Sequence, residues 1–134
     1  MDIQIQLTLQ PINRAITMPL ELDGVAGAWV GFRGVVRGTE SGQPIIALEY
    51  EAYDSMAVSV MRQIAQDLRQ THSFQAFRAI HRLGIVPVGE AAIYVGVAAK
   101  HRGAAFAMLA AFMDRLKMDV PIWKTRAITA PILH

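Results

Sequence analysis

The stretch AAIYVGVAA, residues 91–99, carries no polar side chain apart from the tyrosine hydroxyl. Nine residues are too few to cross a bilayer as a helix. As a strand, an unbroken apolar run needs cover on both faces. Such a strand belongs inside a layered structure, and the rest of the chain offers material for the layers. DIQIQLTLQ, residues 2–10, alternates strictly and reads as a strand with one buried face. Residues 24–38, GVAGAWVGFRGVVRG, read as a strand whose glycines mark bulges or close backbone approach. TESGQP is a turn, and IIALEYEAY reads as the strand returning from it as a hairpin partner.

Helices are expected twice. Asp54 or Ser55 caps the first, and Ala57, Val60, Met61, Ile64 and Leu68 keep its apolar stripe. The second spans about 101–118, with Ala105, Phe106, Leu109, Met113 and Leu116 along one side. Between them FQAFRAIHRLG reads as a strand and IVPVGEA as a connector bent at Pro87 and Gly89. Pro121 holds VPIWK extended after the second helix. PINRAITMPLELDG reads as a loop and TRAITAPILH as an apolar tail broken by Pro131. The order predicts one α/β domain over residues 1–134, a mixed sheet with two main helices packed on it.

Composition removes several functions. The chain has 134 residues and no cysteine, which excludes disulfides, thiolate metal sites and covalent chemistry on a thiol of its own. Its four histidines, at 72, 81, 101 and 134, lack metal-ligand spacing, so no metal is expected. A net charge of +2 gives no general case for nucleic acid. No signal peptide or membrane span is legible, so a cytoplasmic protein is the expectation. The hydrophobic share, 53%, points to a dense core or a buried interface between subunits.

The basic residues are unevenly placed. All three lysines lie between 100 and 124, against ten arginines spread along the chain. Lys100-His101-Arg102 stands where a buried strand meets a helix N-terminus, whose free N–H groups favour an anion. The plainer account is that these side chains point into solvent. Lys117 falls in the last turn of the second helix, where a cation suits the dipole. Lys124 follows Trp123, and stacking on the indole would explain it. If the chain turns back at Pro121, the two ammonium groups crowd, and crowding depresses a lysine pKa toward that of a usable base or nucleophile. No acid follows Asp119, which leaves Lys124 and Arg126 unopposed in sequence. Arg37, with Arg33 nearby, suits a phosphate or carboxylate, or is an ordinary exposed arginine. Glu49 and Glu51 share a strand face, as a carboxylate pair or, more plainly, as solubilising charges on an edge strand.

Helix length limits how these groups combine. His101 and Lys117 are sixteen residues apart, about 24 Å along a helix. A second copy packed about a two-fold axis would bring His101 of one protomer to Lys117 of its partner.

Four blocks carry a resemblance: GAWVGFRGVVRG, LEYEAYDSMA, HRLGIVPVGEAAIYVGVAAKHRGAAF and LKMDVPIWK. In this order and at this spacing, from about Gly24 to Lys124, the chain resembles the large, catalytic subunit family of molybdopterin synthase. The resemblance implies an α/β hammerhead-type fold. It implies a sulfurtransferase of molybdenum cofactor biosynthesis that installs two dithiolene sulfurs on cyclic pyranopterin monophosphate. The sulfur donor would be the thiocarboxylate at the C-terminal Gly-Gly of a small ubiquitin-like partner. The implied assembly is a homodimer of large subunits at the core of a heterotetramer, with no cofactor required by this chain. Position by position, Lys117 and Lys124 fall on the family's active-site lysines. Arg37, His101 and Arg102 fall on residues that hold the phosphate-bearing substrate, and Phe32 and Met113 on pocket-lining ones.

The chain also departs from that pattern. Val35 stands where the family often has lysine, Thr125 and Arg126 where it usually has lysine and glutamate, and Lys100 where it has a small residue. The sequence stops at His134, short of members whose tail helps cover the pocket. These departures bear on substrate closure and local charge balance, and they leave the lysine pair in place. Two other readings stand beside the enzyme: a non-catalytic paralogue that keeps the dimer and the partner groove, and a nucleotide- or RNA-binding module built on Lys100-His101-Arg102. Few aromatics accompany those basic residues, which weighs against the last.

Overall fold

The computed structural model describes residues 2–13, 17, 22 and 24–130. Much of the loop expected after Pro11, and the tail from Pro131 to His134, lie outside the described residues. Nine strands and two helices follow one another among those described. They are β1 (Asp2–Thr8), β2 (Ala28–Val35), β3 (Thr39–Glu40), β4 (Gln43–Pro44), β5 (Ala47–Ala52), α1 (Asp54–Leu68), β6 (Ala76–Arg82), β7 (Gly84–Pro87), β8 (Ala91–Ala99), α2 (Arg102–Asp119) and β9 (Ile122–Ile128).

The apolar strand organises the larger sheet, ordered β1-β6-β8-β2. All nine residues of β8 are buried, as the uninterrupted run predicts. One face, through Ile93, Val95 and Val97, meets both helices in the main core. On the other face Tyr94 packs with Ile12, Ile80 and Trp29. β1 runs parallel to β6, and the remaining pairs are antiparallel. α1 lies on β1, α2 on β8 and β2, and the helices touch each other. Phe112 of α2 meets Phe77 of β6 at a ring separation of 4.6 Å. Complete burial of two such rings contributes roughly 1.5–3 kcal/mol each.

The expected hairpin is absent. β2 pairs with β8, whereas β5 sits at the centre of a second, antiparallel sheet ordered β7-β5-β9. Because both neighbours of β8 must be strands of its own sheet, β2 is taken by β8. The chain then crosses to the second sheet through the small β3-β4 hairpin, where Ser41 and Gly42 both have positive φ. IVPVGEA is likewise more than a connector. Its first half is β7, paired with β5, and the bend comes only at Gly89, at φ 88°. VPIWK opens a full strand, β9, that runs on to Ile128.

The glycines of β2 serve close approach and bulging, as expected. A Cβ on Gly31 would sit 2.7 Å from the Tyr94 hydroxyl, and the register shifts between Gly34 and Val35. The first helix starts one step before its expected cap. Tyr53 occupies the N-cap of α1, and Asp54 lies in its first turn, where its charge suits the dipole. On α2 the buried stripe is Ala105, Met108 and Phe112, while Phe106 is exposed. An apolar residue one position off the stripe turns about 100° away from it, which is enough to reach solvent.

Candidate active site: a lysine-flanked cavity between the two sheets

α2 ends where it does because Pro121 offers no N–H and keeps Val120 out of helical backbone. Val120 has ψ 128°, and its N–H still closes the last turn on the Leu116 carbonyl at 3.2 Å. The chain reverses at once. The Pro121 carbonyl accepts from the Tyr53 N–H at 3.2 Å, and β9 pairs antiparallel with β5 from Ile122 onward. A register shift between Glu49 and Tyr50 sets Lys124 opposite Tyr50 and Arg126 opposite Glu49.

This turn encloses a cavity of about 290 Å³ between the end of α2 and the two sheets. Lys117 and Lys124 both line it, as does Met113. A narrower cleft of about 60 Å³ continues past Val35, Tyr50 and Lys124 to Arg37 and Glu40. Phe32 lines neither space; its ring lies 3.6 Å from where a Cβ on Gly34, a cavity residue, would sit. Three of the seven sequence-assigned site residues thereby line one cavity, and Arg37 lines the adjoining cleft. His101 and Arg102 are not among them. They are exposed at the opposite end of α2, His101 as its N-cap without a side-chain capping bond.

Two features of the site were not legible in sequence. The first is Glu40, whose carboxylate receives the Lys124 ammonium at 2.9 Å across 84 residues of chain. Arg126 is matched in the same way, at 2.8 Å from Glu49, and the Thr125 hydroxyl donates to the Glu49 carbonyl at 3.2 Å. Lys124 and Arg126, unopposed in sequence, are thus paired in space. These contacts correct two expectations. The Trp123 indole stacks near Tyr53, 5.0 Å away, while the Lys124 ammonium goes to Glu40. Glu49 lies on a central strand and is an ion-pair partner, so edge solubilisation does not describe it.

The second feature is His81. Only 6% exposed, it lines the cavity, donates from Nδ1 to the Arg82 carbonyl at 2.8 Å and meets the Tyr50 ring edge-on at 5.2 Å. Burial lowers its pKa, partly opposed by the bond to the Arg82 carbonyl. Tyr50 shifts upward, chiefly by burial, with Lys124 opposing and Glu40 adding to the shift. A buried histidine leaves no local sequence signal, because HRLG continues the β6 pattern without a break. Chemically the cavity combines apolar walls with two ammonium groups, a phenol and a neutral imidazole. A guanidinium stands at its exit. Such a space suits a ring system bearing an anionic group.

A two-sheet α/β domain with a lysine-flanked cavity at a helix C-terminus is the class that fold and site define. The chain belongs to the MoaE protein family, whose model matches residues 6–119. It is 38% identical over 119 residues to the molybdopterin synthase catalytic subunit of Homo sapiens, across 89% of this chain and 61% of that one. The chain spans about 60% of the length of the mammalian curated relatives it matches. The crystal structure of molybdopterin synthase from Staphylococcus aureus superposes with a TM-score of 0.85 at 29% identity, covering 92% of this chain and 90% of that one. The same fold, at a TM-score of 0.65 and 20% identity, occurs in a complex of subunits 1 and 2 of molybdopterin-converting factor from Helicobacter pylori 26695, over 96% of this chain and 89% of that one. No helix among the described residues is long and apolar enough to cross a membrane.

Two outcomes follow from these contacts. Glu40→Gln removes the anion that competes for Lys124, an exposed pairing worth roughly 0.5–1 kcal/mol. Inorganic phosphate, titrated calorimetrically, is then expected to bind about two- to fivefold more tightly; unchanged or weaker binding would show that Glu40 does not compete. The second outcome concerns pH. The folded state keeps His81 neutral below about 6.5, where the unfolded chain takes up a proton, so stability falls as pH drops through that window. The slope is at most about 1.4 kcal/mol per pH unit. Melting curves between pH 7.5 and 5.5 are expected to be flatter for His81→Gln; an equal slope in both proteins would remove His81 as the cause.

Proposed function

We propose that this chain is the catalytic subunit of a molybdopterin synthase. It would transfer sulfur from the C-terminal thiocarboxylate of a small ubiquitin-like subunit to cyclic pyranopterin monophosphate, forming the dithiolene. The observation that carries this reading is the meeting of Lys117 and Lys124, from two different elements, on one cavity with Arg37 at its exit. Family membership and the named relatives support it.

The chemistry asks for what these residues offer. A thiocarboxylate sulfur that attacks an oxygen-bearing substrate carbon breaks that C–O bond, the oxygen leaving as a protonated hydroxyl or phosphate group, and holds the substrate to the carrier's acyl group as a thioester. Water then cleaves that thioester, releasing the carrier as a carboxylate and leaving sulfur on the substrate. Hydrolysis passes through a tetrahedral oxyanion, which an adjacent ammonium stabilises in a cavity of low polarity. In this reading Lys117, with no ion-pair partner among the described residues, lies beside the thiocarboxylate. Lys124, oriented by Glu40, stabilises charge or moves protons. Arg37 takes the phosphate, a role that suits its bidentate fork, while Phe32 and Met113 bound the ring system. His101 and Arg102 would come from a second copy, because helix length holds them about 24 Å from Lys117 of their own chain. In this reading a homodimer forms the core of a heterotetramer.

Reconstitution with the thiocarboxylated small subunit and cyclic pyranopterin monophosphate, read as dithiolene by thiol alkylation and mass spectrometry, tests the reading. Wild type is expected to form product, and Lys117→Ala to lose roughly a hundredfold or more in rate. Full activity in Lys117→Ala would overturn the role of the lysine. Small-subunit binding without turnover by wild type would identify a non-catalytic paralogue.

A further inference from the structure

The polar groups of the cavity are unbalanced. Lys117 and Lys124 are donors only, as is the Trp123 indole N–H, and Arg37 in the adjoining cleft is a donor only as well. Glu40, the carboxylate of the adjoining cleft, is already engaged with Lys124. A ligand's anionic group is well provided for, but its own N–H groups would find few side-chain acceptors, the Tyr50 hydroxyl among them.

His81 supplies one. Its Nδ1 lies 2.8 Å from the Arg82 carbonyl oxygen, which can only accept, so Nδ1 carries the proton. In the neutral ring Nε2 is then an acceptor, and it has no hydrogen-bond partner among the described residues. The side chain is 6% exposed and forms part of the cavity wall. Its ring is fixed from two sides, by the Arg82 carbonyl and by the edge-on Tyr50 ring at 67°. An unmet acceptor held rigidly at a cavity wall is placed to meet a ligand.

We propose that His81 is a substrate-binding residue whose Nε2 accepts a hydrogen bond from a ring N–H of the heterocycle held in the cavity. This rests on the function proposed above and adds the residue that reads the heterocycle, as distinct from those that hold its phosphate. The charged and titratable groups facing His81 are Tyr50 from β5, Lys117 from α2 and Lys124 from β9, with Glu40 behind Lys124. Burial disfavours an imidazolium, opposed in part by the bond from Nδ1 to the Arg82 carbonyl.

The test uses the assembled complex and cyclic pyranopterin monophosphate as the probe. His81→Phe keeps the ring volume and removes the acceptor, so Kd and KM are expected to rise about tenfold with kcat little changed. His81→Gln, which retains an acceptor oxygen, is expected to recover part of that loss. In ¹⁵N-histidine-labelled wild type, the Nε2 resonance is expected to move upfield on adding the probe while Nδ1 stays protonated. This reading needs no variant to fold. An Nε2 resonance unmoved by bound probe, or wild-type affinity in folded His81→Phe, would overturn the proposal. Failure of wild type to turn over the substrate would instead strike the proposed function.

Discussion

The site depends on how α2 ends. Pro121 supplies no N–H to continue the helix, and the chain leaves Val120 in extended backbone and returns along β5. Lys117 stays on the last turn of the helix, while Lys124 is carried to the strand opposite Tyr50. Two lysines seven positions apart thus reach the same cavity from different directions. A continued helix would place Lys124 about 10 Å further along the axis, away from the second sheet. That both lysines line one cavity follows from one proline and one strand pairing.

The electrostatics of the site belong to the fold as a whole. The segment after Asp119 carries no acid of its own, yet its two cations are each met by a carboxylate from the β3-β5 region. Each exposed pair is worth roughly a kcal/mol or less. Their effect is mainly on orientation. Arg126 is drawn onto the second sheet by Glu49, and Lys124 is held at the boundary between cavity and cleft. Thr125 and Arg126 are both tied to Glu49. Lys117 is left as the cavity ammonium without a counter-ion among the described residues.

Local patterns carried much of this into the sequence. The unbroken apolar run marks β8 as a strand buried on both faces, alternation marks β1, and helical spacing marks α1 and α2. Strand partnership was harder, because nothing local says that residues 28–35 pair with β8 and leave β5 to another sheet. β7 is four residues long and ends in a proline, which makes it look like a turn. At the site the lysines stood out by their clustering, whereas Glu40 and His81 meet them across long stretches of chain. A half-buried glutamate in a hairpin and a histidine inside a strand pattern have no special spacing to betray them. Only folding shows what they face.

Subunit complementation tests the central claim most directly, because it asks whether Lys117 of one copy works with His101 of another. Lys117→Ala and His101→Ala chains are co-expressed, the assembled complex is purified, and sulfur transfer is measured against each variant alone. A site shared across a two-fold axis leaves one intact cavity in every mixed dimer, so random pairing restores about a quarter of wild-type activity. A mixture no more active than the separate variants would contradict the account.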